Sequence, residues 1–323
     1  MKILPLFISH QGCPFRCIYC NQKAITKSAS FDFEKAKQLI EKFSNNPEIE
    51  KEVAFFGGTF TSMPQNLQQK YFDLITPYKE KISGIRISTR ADCIDNDILE
   101  NCKKNNVKVI ELGIQSFSNK VLKLSKRGYD AGIAKNSSSL IKEYGLSLGI
   151  QLMPGLPGFN DTTWQETIHA TLQLKPSYVR LYPTIVLENT ELAILFISGN
   201  YNPLCLEKAL NICADACKRF LENDIAVIKM GLHSDIQEVV AGPYHPSFGE
   251  LVRGRILCED ILKYYEKNKT ISLNSKFISL LTGFKQKNAH FLKKTLHIDK
   301  LPLKLDSQTK YFEITNRKAN LYL

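Results

Sequence analysis

The sequence is poor in several features that would place it quickly. It has one Trp and four Met in 323 residues. No apolar run approaches the ~20 residues of a membrane-spanning helix, so no membrane partner is expected. Gly and Pro number only 17 and 13, which excludes collagen-like and low-complexity chains. No segment repeats. The start, Met1-Lys2-Ile3-Leu4-Pro5-Leu6-Phe7-Ile8, is short for a secretory leader, holds a Pro and lacks a small-residue cleavage site. A buried first strand and a cytoplasmic protein are the expectations. Nine cysteines, an odd number without a leader, make a disulfide framework a poor account.

What is present is ordinary globular composition, 43% hydrophobic and 23% charged, on a chain long enough for a full core. The formal charge is +11. Such an excess suits an anionic partner such as nucleic acid, although solubility alone also accounts for it.

Strand-length apolar runs alternate with amphipathic stretches. Strands are expected near 3–9, 52–57, 84–89, 107–113, 147–153, 178–185 and 225–230. Helices are expected near 32–44, 64–78, 95–105, 130–144, 161–174 and 204–222. Asp32 and Asp161 stand at N-cap positions, Pro64 at a first turn and Gly145 at a helix end. The alternation predicts an α/β fold of parallel strands with crossover helices, a partial (β/α)6-type barrel over 1–230. An open doubly wound sheet is the competing architecture. Residues 231–323 read as a basic C-terminal α+β extension, with a helix near 253–267 and Lys285, Lys287, Lys293, Lys294, Lys300 and Lys304. In barrels the chemistry lies on loops after the strands' C-terminal ends.

Directly after the first strand comes Gly12-Cys13-Pro14-Phe15-Arg16-Cys17-Ile18-Tyr19-Cys20-Asn21. The C-x3-C-x2-C spacing lets three soft thiolates converge on one centre, an iron–sulfur cluster or zinc. Four Cys are usual for a [4Fe–4S] cluster, and the next here is Cys93. Three ligands would leave one iron open. A structural zinc that recruits a distant Cys or His, and unligated cysteines, are the alternatives.

Other strand ends carry polar or glycine-rich stretches. Gly57-Gly58-Thr59-Phe60-Thr61 follows the second strand and permits close backbone approach, or merely a turn. Ser88 and Arg90 share a side after the third; Arg90 suits a carboxylate ligand or an ion pair with Asp92 or Asp95. Glu111, Gly113 and Gln115 share a face of the fourth, as ligand contacts or a satisfied buried network. Lys126 and Arg127 would meet an anion or solvent. Gln151 and Met153 face together before the rigid Pro154-Gly155-Leu156-Pro157-Gly158 turn. Arg180 and Tyr182 face together on the sixth strand. Met230-Gly231-Leu232-His233 lies beyond, and Tyr244, His245 and Glu250 are later candidates for proton transfer or structure. Cys213 and Cys217, like Cys93, Cys102, Cys205 and Cys258, read as small buried hydrophobes.

Cys13, Cys17 and Cys20, with Tyr19 at the aromatic position, resemble the signature of the radical S-adenosylmethionine (SAM) superfamily. Gly57-Gly58-Thr59-Phe60-Thr61, Glu111-Leu112-Gly113-Ile114-Gln115-Ser116 and Met153-Pro154-Gly155-Leu156-Pro157-Gly158 are similar to the branch containing the Elongator catalytic subunit. The resemblance runs from about Leu4 to Tyr182, more loosely to Glu250. Thr59 departs from the acidic residue many members carry, and Tyr129 stands where the branch has His.

The resemblance implies a radical SAM barrel whose [4Fe–4S] cluster, held by Cys13, Cys17 and Cys20, cleaves SAM reductively to a 5′-deoxyadenosyl radical. It implies SAM contacts among Tyr19, Gly57, Gly58, Thr59, Ser88, Arg90, Glu111, Gln115, Gln151, Met153 and Arg180. It also implies an electron donor such as flavodoxin or ferredoxin. RNA is a candidate substrate. Only about 90 residues follow Ile228, without a Gly-rich pyrophosphate signature, so acetyl transfer is not expected. The contrasting expectation is a non-catalytic nucleic-acid-binding protein with a structural zinc.

Overall fold

The computed structural model describes residues 2–22, 24, 31–47, 50–232, 236, 238–265, 270–309, 311–314 and 317–319. Seven strands form one parallel sheet in the order β1-β2-β3-β4-β5-β6-β8. These are β1 (Lys2–Phe7), β2 (Lys51–Phe56), β3 (Gly84–Thr89), β4 (Val107–Gln115), β5 (Ser147–Leu152), β6 (Tyr178–Leu181) and β8 (Ala226–Met230). β7 (Val186–Leu187) lies between β6 and β8 in sequence and pairs antiparallel with β9 (Val239–Ala241).

The sheet is curled. The Arg180 guanidinium on β6 lies 4.8 Å from the centroid of the Phe56 ring on β2, four strands away. In a flat sheet those strands would stand about 19 Å apart, beyond an arginine's reach. Among the described residues β1 and β8 are not paired, so the barrel is partial. This is the expected architecture, with seven strands.

Between the strands run α1 (Phe33–Ser44), α2 (Gln65–Asp73), α3 (Asn96–Lys104), α4 (Asn119–Leu124), α5 (Ala131–Glu143), α6 (Asp161–Leu174), α7 (Glu191–Ile197) and α8 (Leu206–Leu221). Asp32 caps α1, accepting from Lys35 N at 3.0 Å. The α6 cap is one residue earlier than expected: Asn160 accepts from Thr163 N at 2.9 Å and Asp161 is the first helical residue. The Thr163 hydroxyl accepts in turn from Asn160 N, so the capping box uses Asn160 and leaves Asp161 to face the helix dipole. Gly145, at φ +72°, ends α5 as expected.

Helix α9 (Phe248–Tyr264) bridges two cores. Phe248, Val252 and Ile256 pack into the barrel's helical layer. Leu257, Cys258 and Ile261 pack with Ile271, Leu273, Leu280, Leu281, Leu292 and Tyr311 in a second core. That core sits among β10 (Ile271–Leu273), α10 (Ile278–Thr282), α11 (Lys287–Leu296) and β11 (Leu303–Leu305). β12 (Phe312–Ile314) and β13 (Arg317–Ala319) complete a sheet ordered β11-β10-β12-β13. The extension is thus α+β. Among the described residues no helix is long and apolar enough to cross a membrane.

Candidate active site

The cysteine loop leaves β1 at its C-terminal end and is clamped by the loop after β2. Thr59 N donates to Gln11 O at 2.8 Å, and the Thr59 hydroxyl lies 3.3 Å from Cys13 Sγ. A Cβ on Gly58 would stand 2.6 Å from Gln11 O and 2.8 Å from Ile8 O. What Gly58 admits is therefore the backbone of the cysteine loop. Gly57, at φ +91°, turns the chain into this contact.

A buried arginine closes the other side. Arg127 Nη1 donates to Cys17 Sγ at 3.0 Å and to the Tyr19 hydroxyl at 3.2 Å. Its Nη2 donates to Gly113 O and, at 2.8 Å, to the Tyr129 hydroxyl. Burial works against the Arg127 charge, but Tyr129, Tyr19 and Cys17 more than offset it and hold the guanidinium charged. Lys126, at φ +53°, and Gly128, at φ +78°, turn the chain so that Arg127 points inward. Lys126 points out and pairs with Glu191 at 2.6 Å. Lys126 thus lies on the solvated surface, whereas Arg127 meets neither solvent nor an anionic group but thiol, phenol and carbonyl partners.

Arg90 Nη2 donates to Arg127 O and pairs with Asp92 at 2.8 Å. Its guanidinium stacks between Phe15, at 5.0 Å, and Tyr129, at 5.2 Å. Tyr19 is buried, and burial pushes its phenol well above the usual value. Burial, with Cys17 and Cys13 nearby, pushes the Cys20 thiol up to about 12. Neighbouring thiols resist joint ionisation, and a bound cation reverses that preference. Cys17, Cys20 and Met153 pack against Ile18, Leu156 and Val186, an apolar wall. Among the described residues no three Cys, His, Asp or Glu side chains close on a single-ion site. The thiols are neighbours without being gathered on one point. Three soft donors, a dry wall and an adjacent fixed cation fit a polynuclear sulfur-bridged centre. Gln115 adds a buried Oε1 with no partner among the described residues, beside the Gly113 and Arg127 contact.

The remaining residues form a polar network inside the barrel. Glu111 is fully buried. It accepts from Ser88 Oγ at 3.1 Å, from Gln151 Nε2, and from the Tyr178 hydroxyl at 3.1 Å. Arg180 Nε lies 2.7 Å from Glu111 Oε2, and Arg180 Nη1 donates to the Tyr182 hydroxyl at 3.2 Å. Below this, Arg86 pairs with Glu52 at 2.6 Å and lies over the Tyr178 ring at 5.2 Å. Gly149 makes room, since a Cβ there would meet the Tyr178 ring at 2.3 Å.

The predicted residues thus fall into two groups. Cys13, Cys17, Cys20, Tyr19, Thr59, Arg90, Gln115 and Met153 surround the cysteine loop. Ser88, Glu111, Gln151 and Arg180 share one network on the barrel axis. Tyr244 and His245 line a small cleft with Pro183, Gly231 and Phe248. Glu250 pairs with Arg253 on the surface, and His233 lies outside the described residues. Sequence reasoning underweighted Arg127 and missed Arg86, Glu52 and Tyr178. The only signal for the last three was strand register: Glu52 and Tyr178 both flank glycines, Gly84 and Gly149, across the sheet.

A partial parallel barrel with a three-cysteine loop at the C-terminal end of its first strand defines a class of protein. Residues 7–171 match the Radical SAM superfamily and residues 176–257 the Radical_SAM C-terminal domain. The chain belongs to the radical SAM superfamily. It is similar to the tRNA uridine(34) acetyltransferase of Methanocaldococcus jannaschii, at 24% identity over 83% of this chain and 56% of that one. The protein of the same name from Methanocaldococcus infernus is 30% identical over 54% of this chain and 33% of its own length. The chain therefore spans about a third to just over half of these curated relatives. The archaeal Methanocaldococcus infernus Elp3 with an N-terminal deletion shares the fold, with a TM-score of 0.64 and 22% identity, covering 80% of this chain and 63% of that one.

Proposed function

We propose that Cys13, Cys17 and Cys20 hold a [4Fe–4S] cluster and that the chain binds S-adenosylmethionine beside it. When bound, the cluster supplies the electron for reductive cleavage of SAM to methionine and a 5′-deoxyadenosyl radical, chemistry no side chain provides. The observation that carries this reading is the buried Arg127 guanidinium, 3.0 Å from Cys17 Sγ at the strand-end rim of a radical SAM barrel.

The chain's own residues then have distinct tasks. Thr59 and Gly58 fix the cysteine loop. Arg127 and Tyr19 orient Cys17, and Met153, Ile18 and Leu156 keep the centre dry. Arg90 and Gln115 offer polar groups toward a zwitterionic ligand; Ser88, Glu111, Gln151 and Arg180 do the same from the barrel axis. An external electron donor such as flavodoxin or ferredoxin is required.

The substrate class we propose is RNA. The +11 charge and the similarity to proteins named tRNA uridine(34) acetyltransferase support it. Transfer of an acetyl group is not carried over.

The test is anaerobic reconstitution, then reduction in the presence of SAM and assay for 5′-deoxyadenosine. Wild type should yield a brown protein and the product; Cys17→Ala should yield neither. A colourless protein with stoichiometric zinc and no SAM cleavage would replace this proposal with a structural-metal reading.

A further inference from the structure

The second core carries a surface that the barrel chemistry does not use. From residue 267 to residue 298 the chain has seven Lys, two His and no Asp or Glu. Helix α11 sorts this segment into two faces. Asn288 and Leu292 face inward: Asn288 Nδ2 donates to Leu280 O at 2.7 Å, and Leu292 is fully buried. Lys287, His290, Phe291 and Lys294 are all exposed. Their spacing of i, i+3, i+4 and i+7 puts them on one stripe. Phe291 is 50% exposed and Phe284, just before the helix, 58%. Lys285 Nζ lies 5.5 Å from the centroid of the Phe284 ring. Among the described residues no carboxylate pairs with Lys285, Lys287 or Lys294.

Position adds a second argument. The Phe284 ring meets the His245 ring edge-on at 6.3 Å. His245 in turn shares its cleft with Pro183, after β6, and with Gly231, after β8. The stripe therefore continues outward from the strand-end rim that bears the cysteine loop, at the β8 edge of the sheet.

Two exposed aromatic rings interleaved with unpaired ammonium groups are a poor design for solubility and a good one for single-stranded nucleic acid. Bases stack on the rings whatever their identity, and phosphates meet the lysines. We infer that Phe284, Lys285, Lys287, Phe291 and Lys294 form a docking surface for a single-stranded segment of RNA, beside the mouth of the barrel. This rests on the reading of RNA as the substrate class and adds where the RNA is held.

The experiment uses the full chain and a fluorescein-labelled, unmodified tRNA transcript, with anisotropy read from 50 to 300 mM KCl. The variants are Lys285→Gln/Lys287→Gln/Lys294→Gln, Phe291→Ala and Phe291→Tyr. All these side chains are exposed, and circular dichroism and iron content after reconstitution check that each variant folds. Each lysine on a single strand contributes about 0.7 to the slope of log K against log salt, so the triple variant should lose about 2 from that slope. Phe291→Ala should weaken binding about tenfold, in the range of one lost base stack, and Phe291→Tyr should restore it. Wild-type binding that all variants share would move the docking site elsewhere and leave the RNA reading standing. No binding by wild type at 50 mM KCl would overturn both. Equal affinity for duplex DNA, insensitive to Phe291→Ala, would reduce the surface to a general polyanion patch and overturn the inference. So would lysine-dependent binding to phosphatidylserine vesicles in place of tRNA.

Discussion

The Glu111–Arg180 pair offers the sharpest test of how the barrel interior is held. Glu111 is fully buried and is held from three strands besides its own: it accepts from Ser88 on β3, Gln151 on β5 and Tyr178 on β6, and it forms an ion pair with Arg180 on β6. Glu111→Gln keeps the shape and removes the charge. It leaves Arg180, whose side chain is only 16% exposed, without its anion. Breaking a buried pair from one side costs about 3–5 kcal/mol, most of it the penalty of the stranded charge. Arg180 keeps Tyr182 and the Phe56 ring, so the lower end, about 3 kcal/mol, is expected here. Arg180→Gln should cost a similar amount. Because the two losses share one interaction, the double variant should be less destabilised than their sum by about 2 kcal/mol or more. The assay is urea unfolding of metal-free protein followed by far-UV circular dichroism, with the four proteins fitted to one slope. Additive losses, or a Glu111→Gln cost below about 1 kcal/mol, would show that the network is not a buried ion pair in energetic terms. The metal-free state matters, because it separates the structural role of Glu111 from any contact it makes with a ligand.

Four further outcomes are expected. Replacing Cys13, Cys17 or Cys20 by Ala should abolish the iron and its visible absorption, while Cys213→Ala, buried in the α8 core, should retain both; iron lost from Cys213→Ala would reveal a second centre. Gly58→Ala should lower the unfolding midpoint and take up iron poorly, because its Cβ would displace the backbone at Gln11 and Ile8; full iron uptake would refute the clamp. Gly149→Ala should destabilise more, since its Cβ would strike the Tyr178 ring, and Gly149→Ala/Tyr178→Phe should not relieve it, because the ring carbons clash as well as the hydroxyl. Asp260 gives a pH test: burial raises its carboxyl above the usual value, so the folded state holds that proton at pH values where the unfolded chain has released it. Its contribution is complete below the unfolded value near about 4 and is lost as pH rises through the folded one. Asp260→Asn should therefore gain stability relative to wild type with rising pH and then level off; a difference that does not vary with pH would refute this.

Features written in contiguous residues were legible before folding. β3 begins and ends where periodicity places it, at 84 and 89, and the capping residue Asp32 and the terminating Gly145 do what local chemistry predicts. The cysteine loop was legible for the same reason, since its ligand spacing is local. The short helices α4 and α7 and the β7–β9 pair escaped, because six or seven residues hold too little period to detect. Arg127 was ambiguous because Ser125-Lys126-Arg127-Gly128 reads as a solvated turn. Only the positive φ at Lys126 and Gly128, a property of the folded backbone, sends one basic side chain outward and the next into the core. Gly58 was read as room for a ligand, and the room is taken by the neighbouring loop.

The interior network was hidden for a deeper reason. Glu52, Arg86, Glu111, Tyr178 and Arg180 come from four strands, and nothing in any one strand says which charge will meet which. The curl of the sheet decides it, since a flat sheet would leave β2 and β6 out of reach of one another. The consequence bears on function. A barrel filled by branched aliphatic layers is a closed core, whereas this one is filled by side chains that hold each other by charge and hydrogen bonds. Those groups are already oriented and dry, at the level just below the cysteine loop. On the proposed function, a ligand entering from that rim would meet donors and acceptors whose ordering cost was met in folding, which is what preorganisation requires. On that proposal the ligand would also compete with bonds already made, so selectivity for one that matches Ser88, Gln151 and Arg180 in geometry would follow from the same network that holds the strands together.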